Sequence, residues 1–327
     1  MRILVTGSAG HLGEALVRAL RARGDEPVGI DLRASDFTRH VGSIADRAFV
    51  RRHMRGVEAV LHAATLHKPH VATHGRQEFV DTNVTGTLNL LEEAAAAGVA
   101  SLVFTSTTSV FGDAMAPPPG APAAWIDESV APVPKNIYGV TKAAAEDLCQ
   151  LFHRNQKLPC LVLRTSRFFP EADDDWAVRA AYCDDNVKAN EYLYRRVALE
   201  DVVSAHLLAL RRAPALGFGK YIISATTPFR PEDCAQLRAD APAVLRRRAP
   251  DHEEYYGRRG WGMFPSIGRV YCNEKARREL WWKPLFDFPY MLSQLRTGQG
   301  VQTPLARIVG AKGYHSQDFA EGPYPVG

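Results

Sequence analysis

Little in this sequence departs from the ordinary, and what is scarce narrows the field. Its 327 residues include only five cysteines, Cys149, Cys160, Cys183, Cys234 and Cys272, scattered and without a C-x-x-C pair. Such usage suits a reducing compartment and argues against a disulfide framework or a thiolate zinc site. No apolar run exceeds strand length, so no membrane span is expected. No charged and then apolar leader precedes the opening "MRILVTG", so no secretory signal is expected and a cytoplasmic location is. Charge is nearly balanced, at a net +4. The arginine clusters at 51, 195, 211 and 246 lack interleaved aromatics and read as solvated helix faces, not as a nucleic-acid surface. His62, His67, His70 and His74 stand close in sequence, but their spacing offers no ligand face with carboxylates, and no metal site is expected.

What is present is alternation. Short apolar runs at 2–7, 27–31, 57–61, 101–105 and 160–164 read as strands. Between them, helical periodicity marks 12–24, about 45–54, about 76–97 and about 137–155. Repeated βαβ units of this length imply a parallel sheet with helices on both faces. The fold class expected is α/β: a Rossmann-type doubly wound parallel sheet with a smaller, mostly helical C-terminal substrate lobe. Residues 1–165 form the sheet domain, to which 200–225 return. The lobe takes 166–199 and 226–300, and 301–327 form a tail that wraps the body or a partner.

The first strand runs into Gly7, Gly10 and Gly13, spaced G-x-x-G-x-x-G, and then into a helix. Glycines there permit a tight turn and let backbone N–H groups approach a pyrophosphate at the positive end of the helix. Asp31, at the end of the second strand, lies where a carboxylate accepts both hydroxyls of an adenosine ribose and repels a 2′-phosphate. NAD is favoured over NADP, with Arg33 partly offsetting that repulsion.

Tyr138 precedes Lys142 by one helical turn in "NIYGVTK", which puts both on one helix face. A free phenol is too weakly ionised near neutral pH to take a proton from an alcohol. A cation about 4–6 Å away is worth about 3–4 kcal/mol at an effective dielectric near 20, and is expected to lower the phenol pKa by two to three units. "YCNEK" repeats the spacing at Tyr271 and Lys275, but Tyr271 has no counterpart of Thr107, which ends a strand 31 positions before Tyr138, and it reads as structural.

These motifs together resemble the extended short-chain dehydrogenases/reductases, the sugar-epimerase/dehydratase superfamily. The resemblance rests on "TGSAGHLG" (6–13), "LHAAT" (61–65), "NVTGTLNLL" (83–91), "FTSTTSVFG" (104–112), "YGVTK" (138–142) and "LRTSRFFP" (163–170), with a weaker "NEKARRELWWKP" at 273–284. It implies Tyr138 as general base, Lys142 holding the nicotinamide ribose, and Thr107 polarising the substrate oxygen. For NAD it implies the loop residues Gly7, Ala9, Gly10, His11, Leu12 and Gly13, then Asp31, Leu32 and Arg33. Ser43 and Ile44 lie toward the adenine, with Ser43 replacing the family's usual aspartate. His62, Ala63, Ala64 and Thr105 follow, with Asn83 bracing the active site.

Departures from the family pattern narrow the chemistry. Thr108 and Ser109 stand where 4,6-dehydratases carry Asp-Glu, so sugar dehydration is not expected, and no cysteine serves this loop. Asp201 follows Arg164 by only 37 positions, with no clean diphosphate-gripping strand between them, which points to a smaller sugar or polyol. Thr65, Thr107, Thr108, Arg167, Arg179, Asn190, Arg195 and Arg196 are the candidate substrate contacts. The expectation is a hydride-transferring sugar dehydrogenase that forms a homodimer through helices 76–97 and 137–155. The alternatives are a nucleotide-sugar epimerase and an NAD-binding regulator without catalysis.

Overall fold

The computed structural model describes residues 1–313; the rest of the expected tail lies outside the described residues. Nine strands are defined among them: β1 Arg2–Thr6, β2 Glu26–Asp31, β3 His40–Val41, β4 Ala59–His62, β5 Ser101–Thr107, β6 Ala124–Ile126, β7 Cys160–Thr165, β8 Phe218–Ile223 and β9 Arg269–Tyr271. Seven form one parallel sheet in the order β3-β2-β1-β4-β5-β7-β8, the doubly wound arrangement expected. The order reverses between β1 and β4, and such a reversal opens a crevice at the carboxyl ends of the strands.

Period-two alternation explains why these runs form central strands. Ile3, Val5, Leu61, Val103 and Leu163 face one helix layer, with helices His11–Ala22 and Leu199–Leu216. Leu4, Val60, Leu102, Phe104 and Val162 face the other, with Arg47–Met54, Gly86–Ala96 and Ile137–Gln156. Each such leucine or phenylalanine contributes about 1.5–3 kcal/mol of transfer free energy by full burial.

The helix expected over 76–97 is instead three pieces: Arg76–Phe79, a π-helical stretch Val80–Thr85, and Gly86–Ala96. Widened turns of this kind often re-aim a side chain at a functional site, and this one carries Asn83. The smaller lobe has its own core, in which Tyr192, Leu237, Leu245, Tyr256, Phe288 and Met291 meet. A two-stranded sheet, β6 with β9, ties the lobe to the proline-rich loop before Tyr138. No helix among the described residues is long and apolar enough to cross a membrane.

Candidate active site

The crevice at the strand ends is a cavity of about 650 Å³ that runs from Asp31 past the glycine loop to Tyr138 and Arg269. At its first end Gly7 takes a positive φ of 72°. A Cβ there would lie 2.8 Å from the Ala64 nitrogen, and one at Gly13 would lie 1.9 Å from the Gly7 carbonyl oxygen. Only glycine lets this loop close so tightly, leaving a cradle at the start of helix His11–Ala22. Gly10, His11, Leu12 and Gly13 line it. The Asp31 carboxylate accepts the Ala9 and Arg33 N–H groups at 3.0 and 2.9 Å, which fixes it at the cavity wall beside Leu32, Ser43 and Ile44. Ala63 and Ala64, small enough to let a ligand lie against the sheet, line the next stretch. A glycine cradle at a helix start with a fixed carboxylate beyond it fits an adenine dinucleotide.

At the other end β5 delivers Thr107 and helix Ile137–Gln156 delivers Tyr138 in its first turn. The Asn136 side chain caps that helix, accepting the Gly139 N–H at 3.0 Å. The Thr107 hydroxyl stands beside the Tyr138 phenol and favours the phenolate, but burial outweighs it and pushes the Tyr138 pKa up to about 12. This corrects the expected lowering by Lys142. The ammonium of Lys142 is itself buried; it donates to the Thr105 carbonyl at 2.6 Å and lies 4.0 Å from the Phe104 ring centre. Burial lowers its pKa to about 7, against the opposing pull of Glu146. Desolvation, left out of the pairwise estimate made from spacing, decides both values.

Asn83 ties the two walls together from beneath. Its oxygen accepts the Thr65 hydroxyl and Leu66 N–H, each at 2.9 Å, and its amide donates to the Leu66 carbonyl and to Thr141, on the turn carrying Tyr138. His62 departs from expectation. Its ring is buried between Thr6 and Thr87, at 2.8 and 2.9 Å, behind the cavity and not in its wall.

His206, which sequence reading did not single out, supports the same strand end. The Val202 carbonyl can only accept, so Nδ1 carries the proton, and Nε2 accepts the Thr105 hydroxyl at 2.8 Å. Burial holds the ring neutral, with its pKa lowered to about 4. Below the unfolded value near 6.5 the unfolded chain takes up a proton that the folded chain refuses, so stability falls with falling pH in that window. Urea unfolding is therefore expected to show the gap between wild type and His206→Gln shrinking as pH falls from about 6.5 to about 5, with a slope that approaches about 1.4 kcal/mol per pH unit at the lower end. A pH-independent gap would contradict this.

The far wall differs most from expectation. Thr65, Thr108, Arg167 and Arg195 line the cavity. Arg179, Asn190 and Arg196 do not. Arg179 donates to the Asp173 carbonyl, Arg196 pairs with buried Glu191 at 2.6 Å, and Asn190 joins Tyr256 to the Gly262 carbonyl inside the lobe core. Chosen by residue type in an irregular segment, all three are taken up by contacts within the protein itself. Tyr271, read as structural, does line the cavity, its hydroxyl between Met115 Sδ at 3.0 Å and Arg269 Nε at 3.1 Å. It is no second Tyr-Lys pair: Tyr271 ends a strand, and Lys275 donates instead to the Lys220 carbonyl. Arg269, Lys135 and Phe169 also line this end and were missed, because lobe and loop residues join the site only through the β6–β9 pairing and the 166–175 turn.

Comparison with known proteins bears on the fold and the family. Sterol demethylase protein B of Methylococcus capsulatus is 40% identical over 120 residues, which cover 34% of this chain and only 36% of that protein. A UDP-glucose 4-epimerase of Streptomyces lividans is 29% identical over 251 residues, 65% of this chain and 72% of that one. The crystal structure of a short-chain dehydrogenase/reductase superfamily protein from Agrobacterium tumefaciens, with bound NAD, shares the fold at a TM-score of 0.66 and 24% identity, covering 91% of this chain and 96% of that one. Matched from residue 3 to residue 222 by the family's own model, the chain belongs to the NAD dependent epimerase/dehydratase family.

Proposed function

We propose that this protein transfers a hydride at a secondary alcohol or carbonyl carbon of a sugar or sugar-like substrate, with NAD as cofactor and Tyr138 as the acid–base group. The observation that carries the reading is the Thr107–Tyr138 hydroxyl pair, set in one cavity with the glycine cradle. The cradle and Asp31 would hold NAD, whose part when bound is to accept and return the hydride. Asp31 at the wall favours NAD over NADP.

The chain's own residues account for the proton. With a pKa near 12, the Tyr138 hydroxyl is protonated at neutral pH and suited to donate to a carbonyl oxygen. In the oxidising direction it must take the proton from the substrate hydroxyl, and the neighbouring Thr107 hydroxyl is the group that eases this. Lys142, whose pKa lies near neutrality, carries its positive charge only in part of the population at that pH.

A second reading, net epimerisation of a nucleotide sugar by oxidation and re-reduction in place, is favoured by the curated relatives, several of which are UDP-glucose 4-epimerases. The assay is a panel of polyols, sugars and nucleotide sugars with NAD, followed at 340 nm and by chromatography. Sustained NADH formation is expected for the first reading, and epimer interconversion without net NADH for the second. Binding of NAD with inactivity across the panel would instead favour a regulator. A homodimer through helix Ile137–Gln156 is proposed as well, since Val140 and Leu151 stand exposed on it.

A further inference from the structure

The family match ends at residue 222, yet the chain after the lobe returns to the glycine loop. Val301 is buried in the lobe core. Glu200, at the start of helix Leu199–Leu216, then grips the segment twice. Its two oxygens accept the Thr303 hydroxyl at 2.6 Å and the Leu305 N–H at 2.7 Å. Helix Pro304–Val309 follows, with Val309 buried in the same core layer as the first helix of the sheet domain. At its end the Lys312 N–H donates to His11 Nε2 at 3.1 Å, and the Lys312 ammonium pairs with Glu14. Lys312 and Gly313 thereby line the cavity beside Gly10 and His11.

The charge arrangement gives this crossing a purpose. Glu14 lies in the first turn of the helix whose start forms the cradle, and it is only 3% exposed. A buried carboxylate there opposes an arriving anion and offsets the favourable field of the helix terminus. Arg18 neutralises it from one side at 2.8 Å, and Lys312 from the other. Of these two cations, Lys312 alone lines the cavity. A second segment approaches the same point: Glu171, from the turn after β7, lies 3.1 Å from His11 Nε2.

We propose that residues 301–313 form a strap belonging to the cofactor site, with Lys312 as a contact for the pyrophosphate of the dinucleotide. The strap's anchorage on Glu200 lies away from the cavity, so its hold on the cofactor can be varied without altering the cradle. The inference rests on the NAD reading above.

The test is calorimetric titration of wild type, Lys312→Gln, Glu200→Gln and a chain ending at Gly310 with NAD, ADP-ribose and adenosine. Thermal melting without ligand runs beside it. Loss of one charge-assisted contact is expected to weaken NAD and ADP-ribose about tenfold in Lys312→Gln, with adenosine changed less than about twofold. The shortened chain is expected to lose at least as much, and Glu200→Gln less. Equal NAD affinity in wild type and Lys312→Gln overturns the strap, as does an equal loss for adenosine. A wild type that binds no NAD overturns the functional reading itself, which keeps the two failures distinct.

Discussion

Replacing Tyr138 with phenylalanine is expected to lower turnover by about 10³-fold or more, while NAD affinity stays within about twofold. The substitution removes one oxygen. It leaves the buried ring and the Asn136 helix cap in place, and the cradle at the other end of the cavity is untouched. The Thr107 oxygen still accepts the Ser109 N–H at 3.1 Å, so the strand end keeps its local turn. An activity within about tenfold of wild type would mean that another group moves the proton, since positioned acid–base groups contribute about 10²–10⁴-fold. Thr107→Val is the natural companion. It keeps the shape and removes the neighbouring hydroxyl that favours the phenolate.

The second large effect is structural and lies directly behind the site. Glu146, one turn beyond Lys142, is completely buried. It receives Arg164 Nε and Nη2 at 3.0 and 2.7 Å, the Ser106 hydroxyl at 2.6 Å, and the Lys220 ammonium at 3.2 Å. Burial pushes its pKa up, but Arg164, Lys220 and Ser106 together hold it below the usual carboxylate value. Glu146→Ala is expected to destabilise the fold by about 3–5 kcal/mol, because Arg164 is left charged and unpaired in the core. Denaturant unfolding reads this directly. The double variant Glu146→Leu, Arg164→Met is expected to recover most of the loss, since an apolar pair removes both desolvation costs. A single variant within about 1 kcal/mol of wild type would show that water reaches this site, contrary to the burial described. Ser106 adjoins Thr107, and Lys142 loses the one nearby carboxylate raising its pKa, so activity is expected to fall with stability.

The parts of the site that sequence alone revealed are those built by local rules. The glycine loop, Asp31 and Tyr138 each sit within one βα or helical unit, where spacing dictates geometry, whereas Lys142, expected on the same face, turns to the Thr105 carbonyl and does not line the cavity. The sheet followed from alternation, because a strand buried on both faces leaves an unbroken apolar run, as in Leu4 and Val5. Thr107 and Tyr138, 31 positions apart, were joined through family resemblance and not through spacing. What remained hidden depends on contacts between distant segments. Arg196 reads as a surface grip until Glu191 is seen beside it, and Asn190 until Tyr256 is. Tyr271 reads as a strand filler until β9 pairs with β6 at the cavity mouth. Lys312 lies some 300 positions from the helix it neutralises, at a separation of 298 from Glu14. The phenol's acidity was hidden for another reason: spacing reports the neighbour, whereas burial is a property of the whole fold.

Both enzymatic readings share one event, transfer of hydrogen from a substrate carbon to the nicotinamide ring. The most direct test supplies an active substrate from the panel, deuterated at the reacting carbon, to the NAD-loaded protein in a single turnover, followed by mass spectrometry of the cofactor recovered on quenching. The account predicts deuterium in the cofactor with wild type and none with Tyr138→Phe. Product formed by wild type, with the cofactor unlabelled throughout the turnover, would contradict it.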